Sequence, residues 1–343
     1  MGRGVPANLN SYRAVALLVS YIGLFFAIDG WLERRHQLIL VLKVLLLSTV
    51  GVALFGFYQA VSGSYTELYF RLYPLQEAAL EPWEGRITSL LFQFNSTAGY
   101  LNLVIPVAIA CAVLAKDRVL KFLGLSGTCA AAVAIFLTQS RGGLMALAGI
   151  LIIAVWLLVP RLITRFKLLC GGTLACILLL PLLFNHFERL QSIDDATQLS
   201  RIALWQGAAT MFLQHPFLGV GYGNYKFLIS AFVPGTEPDK LDAHNLYLQF
   251  LAETGIVGFI SFSVLVGAFF LLSLKSVRQQ DTLSGIVAFG VCGAIASTLI
   301  HGTVDFLFIV SPQFGSLFWL MLGLGSHVMP RTAGRMVPKA AIA

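Results

Sequence analysis

Apolar runs of about 17–25 residues follow one another along this chain, each long enough as a helix to cross roughly 30 Å of hydrocarbon. That feature constrains the fold more than any motif does. A backbone inside lipid must satisfy its N–H and C=O groups internally, so only helices or a closed barrel can cross. The runs are continuous and not alternating, which selects helices. Nine spans are expected, at roughly 14–32, 37–62, 98–115, 122–138, 143–160, 168–184, 255–274, 284–303 and 307–329. Composition agrees, with 57% of the 343 residues apolar and 11% charged, against about a quarter charged in soluble domains. Too little polar surface remains to keep such a chain in solution. The reading is an all-α polytopic transmembrane bundle forming a single membrane domain over 1–343.

The short connections are basic: Arg34 and Arg35; Lys116, Arg118 and Lys121; Arg161, Arg165 and Lys167; Lys275 and Arg278; and the tail with Arg331, Arg335 and Lys339. All five sets fall on one side if the spans alternate, and the positive-inside rule makes that side cytoplasmic. The opposite side has two longer loops, about 63–97 and 185–254, in which acidic residues outnumber basic ones. Loops of that size can build a site, so the functional surface is expected outside. This count also puts the N-terminus outside. The first run is not read as a signal peptide, because Glu33-Arg34-Arg35 stands where a small-residue cleavage site belongs. Cys111, Cys129, Cys170, Cys176 and Cys292 all lie in apolar runs, with no disulfide framework or zinc spacing. The net charge of +7 is spread along the chain and reads as topology, not as a nucleic-acid surface. No internal repeat is evident.

The 185–254 loop has structure of its own. Ser200 is a candidate N-cap for an amphipathic helix running to about His215, with Leu204, Ala208, Met211 and Phe212 at helical spacing. His215-Pro216 ends it. The turn-rich segment Gly219-Val220-Gly221-Tyr222-Gly223-Asn224 follows, then breaks at Pro234-Gly235 and Pro238-Asp239. Ala243-His244-Asn245-Leu246-Tyr247 opens a helix expected to run into the seventh span at Gly255. The glycine segment does not fit a G-x-G-x-x-G fingerprint and no strand precedes it, so nucleotide binding is set aside.

Charge near the bilayer is costly, roughly 2.5–3.5 kcal/mol per buried residue on insertion scales, so each such residue needs a reason. Arg141 sits in Thr138-Gln139-Ser140-Arg141-Gly142-Gly143, a tight connection on the outside, against the positive-inside trend. It reads either as a turn arginine snorkelling to headgroups or as an anion ligand. Arg201, at the start of the loop helix, reads either as a partner of Asp194 or Asp195 or as a second anion ligand. His244, beside Asp242, is either a structural histidine or a base. His186 and His215 are read as structural, and Asp29 as a headgroup-level or interhelical hydrogen bonder. His301 and Asp305, four residues apart at the end of span eight, are expected to meet on one helix face as a structural pair. Together, two outside arginines can hold a diphosphate through bidentate donors, and a neutral histidine can deprotonate a hydroxyl near pH 7. No metal-ligand spacing appears, so phosphate charge would fall to arginine.

The order TQSRGG, SRIALW, HPFLGVGYGN, DAHNLYLQFLAETGIVG and HGTVDF resembles the O-antigen ligase family of bacterial membrane glycosyltransferases, which includes O-antigen polymerases and protein O-oligosaccharyltransferases. The likeness covers most of the chain and is strongest from Gln139 to Gly258. It implies transfer of a glycan from undecaprenyl diphosphate to an acceptor hydroxyl, with inversion, on the periplasmic face of the inner membrane, without metal or other cofactor. The acceptor would be lipid A core, another glycan or protein. By position Arg141 and Arg201 match the arginines expected to hold the donor diphosphate, and His244 matches the histidine expected to activate the acceptor. Tyr222, Asn224 and Asn245 could line the site. The resemblance also implies a fuller bundle with both ends cytoplasmic, so three spans are expected to be missing at the start. Asn95-Ser96-Thr97-Ala98 departs from the Asn-Pro-Asn pattern expected there. A membrane transporter or lipid-binding scaffold is the alternative of another class, but transporters tend to show repeated halves around a midplane site, and here the charged candidates cluster on one face.

Overall fold

The structure, a computed structural model, describes residues 7–63, 85–165, 167–172, 201–234, 242–277 and 281–328. Among these residues helix follows helix and no strand forms. The long helices α1 (Ala7–Trp31), α2 (Arg35–Ser62), α3 (Phe94–Leu114), α4 (Arg118–Thr138) and α5 (Arg141–Leu158) come first, with one 3₁₀ turn at Ser89–Leu91. Then come α6 (201–214), α7 (Tyr225–Phe232), α8 (Leu246–Ser276), α9 (Thr282–His301), the single turn α10 (Leu307–Val310) and α11 (Pro312–Val328). Seven of the described helices, α1 to α5, α8 and α9, are long and apolar enough to cross a membrane. The chain is a multi-pass membrane protein.

α3 and α9 lie at the centre, with most of their side chains enclosed by neighbouring helices. Lipid tails are as apolar as leucine, so close backbone approach, not escape from water, holds such helices together. At Gly124 a β-carbon would lie 2.6 Å from the Ala112 nitrogen, and at Gly293 one would collide with the Pro106 ring. Larger residues there would push α4 or α9 off α3. Away from this core, Leu47 on α2, Trp156 on α5 and Val264 on α8 stay exposed, as side chains facing lipid do.

The bundle has two distinguishable ends. At one end Asp117 caps α4 by accepting from the Leu120 N–H at 2.8 Å, and Asp281 caps α9 by accepting from the Ser284 N–H at 3.0 Å. Arg35 pairs with Asp281 at 3.1 Å, joining two connections expected on the same side. α9 then runs 20 residues, about 30 Å, to the other end. There the starts of α5 and α8 and the end of α9 meet.

Two expectations need correction, and two hold. The ninth span is not one helix, because Ser311 adopts an extended conformation between α10 and α11. Pro312 explains this, since the residue before a proline is driven out of the helical region. The helix expected to open around Ala243–Tyr247 starts at Leu246 and runs into the seventh span as expected, the two parts meeting at a break at Gly255 (φ 63°, ψ −168°). The connection carrying Arg141 is as tight as expected: only Gln139 and Ser140 separate α4 from α5, and Arg141 opens the first turn of α5. His301 and Asp305 do not share a helix face, because α9 ends at His301 and Asp305 follows in the next turn. The sixth span is helical over 167–172 and otherwise lies outside the described residues. So do Cys176, His186, Asp194, Asp195, Ser200, most of the 63–97 loop and the breaks from Gly235 to Asp239. Asp29 accepts from the Ser326 hydroxyl at 2.7 Å, an interhelical bond as expected.

Candidate active site

His244 sits in the short connection into α8 with a positive φ of 47°, a region that costs a non-glycine residue of order 1–3 kcal/mol. The bonds around it over-determine that conformation. The Ala243 N–H donates to Gln249 Oε1 at 2.9 Å, and the Ala243 carbonyl accepts from Trp205 Nε1 at 2.8 Å. Asn245 caps α8, its Oδ1 accepting from the Tyr247 and Leu248 N–H groups, while its Nδ2 donates to the Thr303 carbonyl at 3.1 Å. The Leu246 N–H donates to the Gly302 carbonyl at 2.7 Å. The histidine is thus pinned between α6, α8 and the turn after α9.

Nδ1 of His244 lies 3.3 Å from Asp305 Oδ1. A carboxylate accepts hydrogen bonds, so it holds the proton on Nδ1 and leaves the Nε2 lone pair free. Burial alone would raise the Asp305 pKa, but the His244 bond, the nearby His301 and the Phe306 N–H outweigh it and hold the group below the ordinary carboxylate range. Asp305 is therefore anionic near neutrality. Spacing along the chain pairs it with His301 instead. Both ring nitrogens of His301 are in fact buried with no hydrogen-bond partner among the described residues. A turn following a helix can aim a carboxylate at a neighbouring element, and helical spacing does not carry that signal.

Arg141 reaches this cluster through its neighbour. At Gly142 a β-carbon would lie 2.6 Å from the His301 ring and from Val304, so the first turn of α5 packs directly on the turn that carries Asp305. Ser140 caps α5 by accepting from the Gly143 N–H at 3.1 Å and donates its own hydroxyl proton to Asn95 Oδ1 at 2.6 Å. The Asn95 segment that departs from the family pattern thus braces the arginine turn. Arg201 lies one helical turn before Trp205 on the same face of α6, and Trp205 holds the carbonyl next to His244. Arg141, Arg201 and His244 therefore belong to elements joined at one end of the bundle.

The glycine segment has a structural reason. At Gly255 the helix breaks, freeing backbone groups that the segment takes up. The Val220 and Gly221 N–H groups donate to the Ala252 and Glu253 carbonyls at 2.9 Å, and the Ile256 N–H donates to the Pro216 carbonyl at 2.8 Å. A β-carbon on Gly255 would collide with the Phe217 oxygen, and one on Gly219 with the Glu253 backbone. The Glu253 side chain, 1% exposed, accepts from the Gly223 and Tyr225 N–H groups and from Gln249. Gln249 also donates to Asp242 at 2.9 Å, whose carboxyl burial pushes up. Nothing in the sequence singles out Glu253 as the clamp of a segment thirty residues earlier. Tyr222 stacks edge-on near Phe250 at 6.2 Å, and burial raises its phenol pKa. Asn224 donates to the Val220 carbonyl and is buried in the turn, so it serves the backbone.

A cavity of about 270 Å³ opens beside this cluster between α8 and α9, lined by Tyr247, Phe250, Phe262, Phe270, Ile295 and Leu299 among others. Its lining is almost wholly apolar. Among the described residues no group of three His, Cys, Asp or Glu side chains is placed to hold a metal ion.

The chain is similar to known proteins over the elements that build this end. Residues 126–263 match the family model described as O-Antigen ligase, a stretch that includes Arg141, Arg201 and His244. The teichuronic acid biosynthesis protein TuaE of Bacillus subtilis (strain 168) is 22% identical over 304 residues, covering 84% of this chain and 61% of that protein. The exopolysaccharide production protein ExoQ of Rhizobium meliloti (strain 1021) is 29% identical over 146 residues, covering 40% of this chain and 32% of that protein. The chain thus spans less than two thirds of either relative.

Proposed function

We propose that this chain, whose residues 126–263 match the O-antigen ligase family model, transfers a glycan from undecaprenyl diphosphate to an acceptor hydroxyl at the periplasmic face of the bacterial inner membrane. The observation that carries this reading is the His244–Asp305 pair, held at the same end of the bundle as the helix starts bearing Arg141 and Arg201. Nε2 of His244 takes the proton of the acceptor hydroxyl. The hydroxyl oxygen attacks the anomeric carbon from the face opposite the diphosphate and forms the new glycosidic bond with inversion. The bond from that carbon to the diphosphate oxygen breaks, and the electron pair leaves with the diphosphate. Arg141 and Arg201 stabilise the charge that grows there, the kind of electrostatic contribution that is usually largest in catalysis. Asp305 keeps the imidazole in the basic tautomer and stabilises the imidazolium once formed. The apolar cavity between α8 and α9 suits the first isoprene units of the carrier.

The acceptor is best read as another glycan, which makes the reaction polymer growth. Both relatives carry names of polysaccharide production, teichuronic acid biosynthesis and exopolysaccharide production. Ligation to lipid A core and transfer to protein use the same donor chemistry and differ only in the hydroxyl supplied.

The test is transfer in vesicles by the purified chain, given an undecaprenyl-diphosphate oligosaccharide and a glycan acceptor. Product is expected with and without a metal chelator, as a ladder of lengths, and its rate is expected to fall by about 10²–10⁴-fold in His244→Ala. Equal product from His244→Ala and wild type overturns the assignment. Movement of the lipid-linked glycan across the vesicle with no new glycosidic bond would favour a transporter.

A further inference from the structure

We propose that Arg86 is a positioning residue for the turn that carries Arg141. This rests on the reading of Arg141 as a donor-diphosphate ligand. Arg86 lies in the segment leading into α3, far before that turn in the chain, and is half-buried. Its guanidinium stacks over the Phe94 ring, 3.4 Å from the centroid. Nε donates to the Thr138 carbonyl at 3.2 Å and Nη2 to the Gln139 carbonyl at 2.9 Å. These carbonyls stand at the C-terminal end of α4, where helical partners run out and a cation is favoured.

The contact is reciprocal. Gln139 Nε2 donates back to the Gly85 carbonyl at 3.0 Å, and the Ile87 N–H donates to the Leu137 carbonyl at 3.3 Å. Residues 85–87 are thus laced to 137–139 along both backbones. Gln139 itself has a positive φ of 54°, and that conformation turns the chain sharply from α4 into α5. Arg141 follows at once, in the first turn of α5. A guanidinium is suited to this job because its rigid fork spans two adjacent carbonyls while its plane rests on an aromatic ring, which an ammonium cannot do together. Arg86 therefore sets the direction in which α5 starts and, through it, where the Arg141 side chain meets the diphosphate.

A double-variant comparison tests this, with transfer kinetics and thermal unfolding measured on purified protein in vesicles. Arg86→Ala is expected to lower kcat/KM by about tenfold to a hundredfold, the effect of misplacing a binding group by about an ångström. Arg86→Lys is expected to recover only part. In an Arg141→Ala background Arg86→Ala should cost nothing further, whereas in an Arg201→Ala background it should cost its full factor. A general loss of stability, or direct contact of Arg86 with the donor, would multiply with both. Wild-type kinetics in Arg86→Ala, or equal factors in both backgrounds, overturns the proposal. Should Arg86→Ala fail to fold, Arg86→Lys carries the same comparison. An Arg141→Ala chain with wild-type kinetics removes the reading of Arg141, and this proposal with it. An impaired Arg141→Ala whose loss multiplies with that of Arg86→Ala removes the positioning role alone.

Discussion

Around α3 and α9, Leu101, Val104, Ile105, Phe289, Val291 and Cys292 sit among apolar groups with almost no exposure. At the loop end Glu253, Gln249, Ser140 and Asp305 are nearly as enclosed, but each is tied by hydrogen bonds. In the first region a side chain is held by shape, and no single partner is indispensable. In the second, these four side chains each have a specific acceptor or donor, and removing one strands the other. A buried group left without its partner costs about 1–3 kcal/mol, whereas trimming one methyl from a packed core costs about 0.5–1.5 kcal/mol. The bundle should therefore tolerate conservative change at its centre and resist it at its loop end.

The sharpest break is expected at His244. His244→Ala should lower kcat by about 10²–10⁴-fold with the amount of folded protein unchanged, as read from transfer rates on matched vesicle preparations. Asp305→Asn should follow at about a hundredfold or more, because an amide can offer an N–H to Nδ1 and favour the wrong tautomer. A normal rate in that variant would detach the carboxylate from the chemistry. Gly255→Ala should act on stability first. Its φ and ψ lie in a region reserved for glycine, at about 1–3 kcal/mol, and the added carbon would run into the Phe217 oxygen. Thermal unfolding in detergent should show a large drop, and an unchanged midpoint would mean the helix break is not obligatory.

Glu253→Gln should cost about 1–3 kcal/mol, since the amide keeps the shape but turns one accepting oxygen into a donor and strands the Gly223 or the Tyr225 N–H. Ile105→Val, at the centre, should cost only about 0.5–1.5 kcal/mol and leave transfer near wild type. If Ile105→Val proved more damaging than Glu253→Gln in the same unfolding measurement, the contrast between the two regions would not hold.

Much of the bundle was legible because hydrophobic length is a local property. The first five spans and the eighth fall close to where their apolar runs place them. The break in the last span was also written locally, in Ser311-Pro312, but the apolar run around it concealed the proline's effect. The loop helix over 201–214 was readable from Leu204, Ala208 and Met211 at helical spacing. The candidate site was legible only in part. Arg141, Arg201 and His244 stood out as polar residues near apolar runs, and their order carried the family resemblance.

What the sequence determined by itself was the class of molecule, a helical bundle that crosses a membrane repeatedly, because lipid forces each span to satisfy its own backbone. Only the tertiary structure decided the partners: Asp305 with His244 and not with His301, Trp205 with the carbonyl beside His244, Glu253 with the glycine segment, and Arg86 with the Arg141 turn. These contacts join residues far apart in the chain, and their geometry depends on where helices end and how they pack. Spacing along one helix cannot report that.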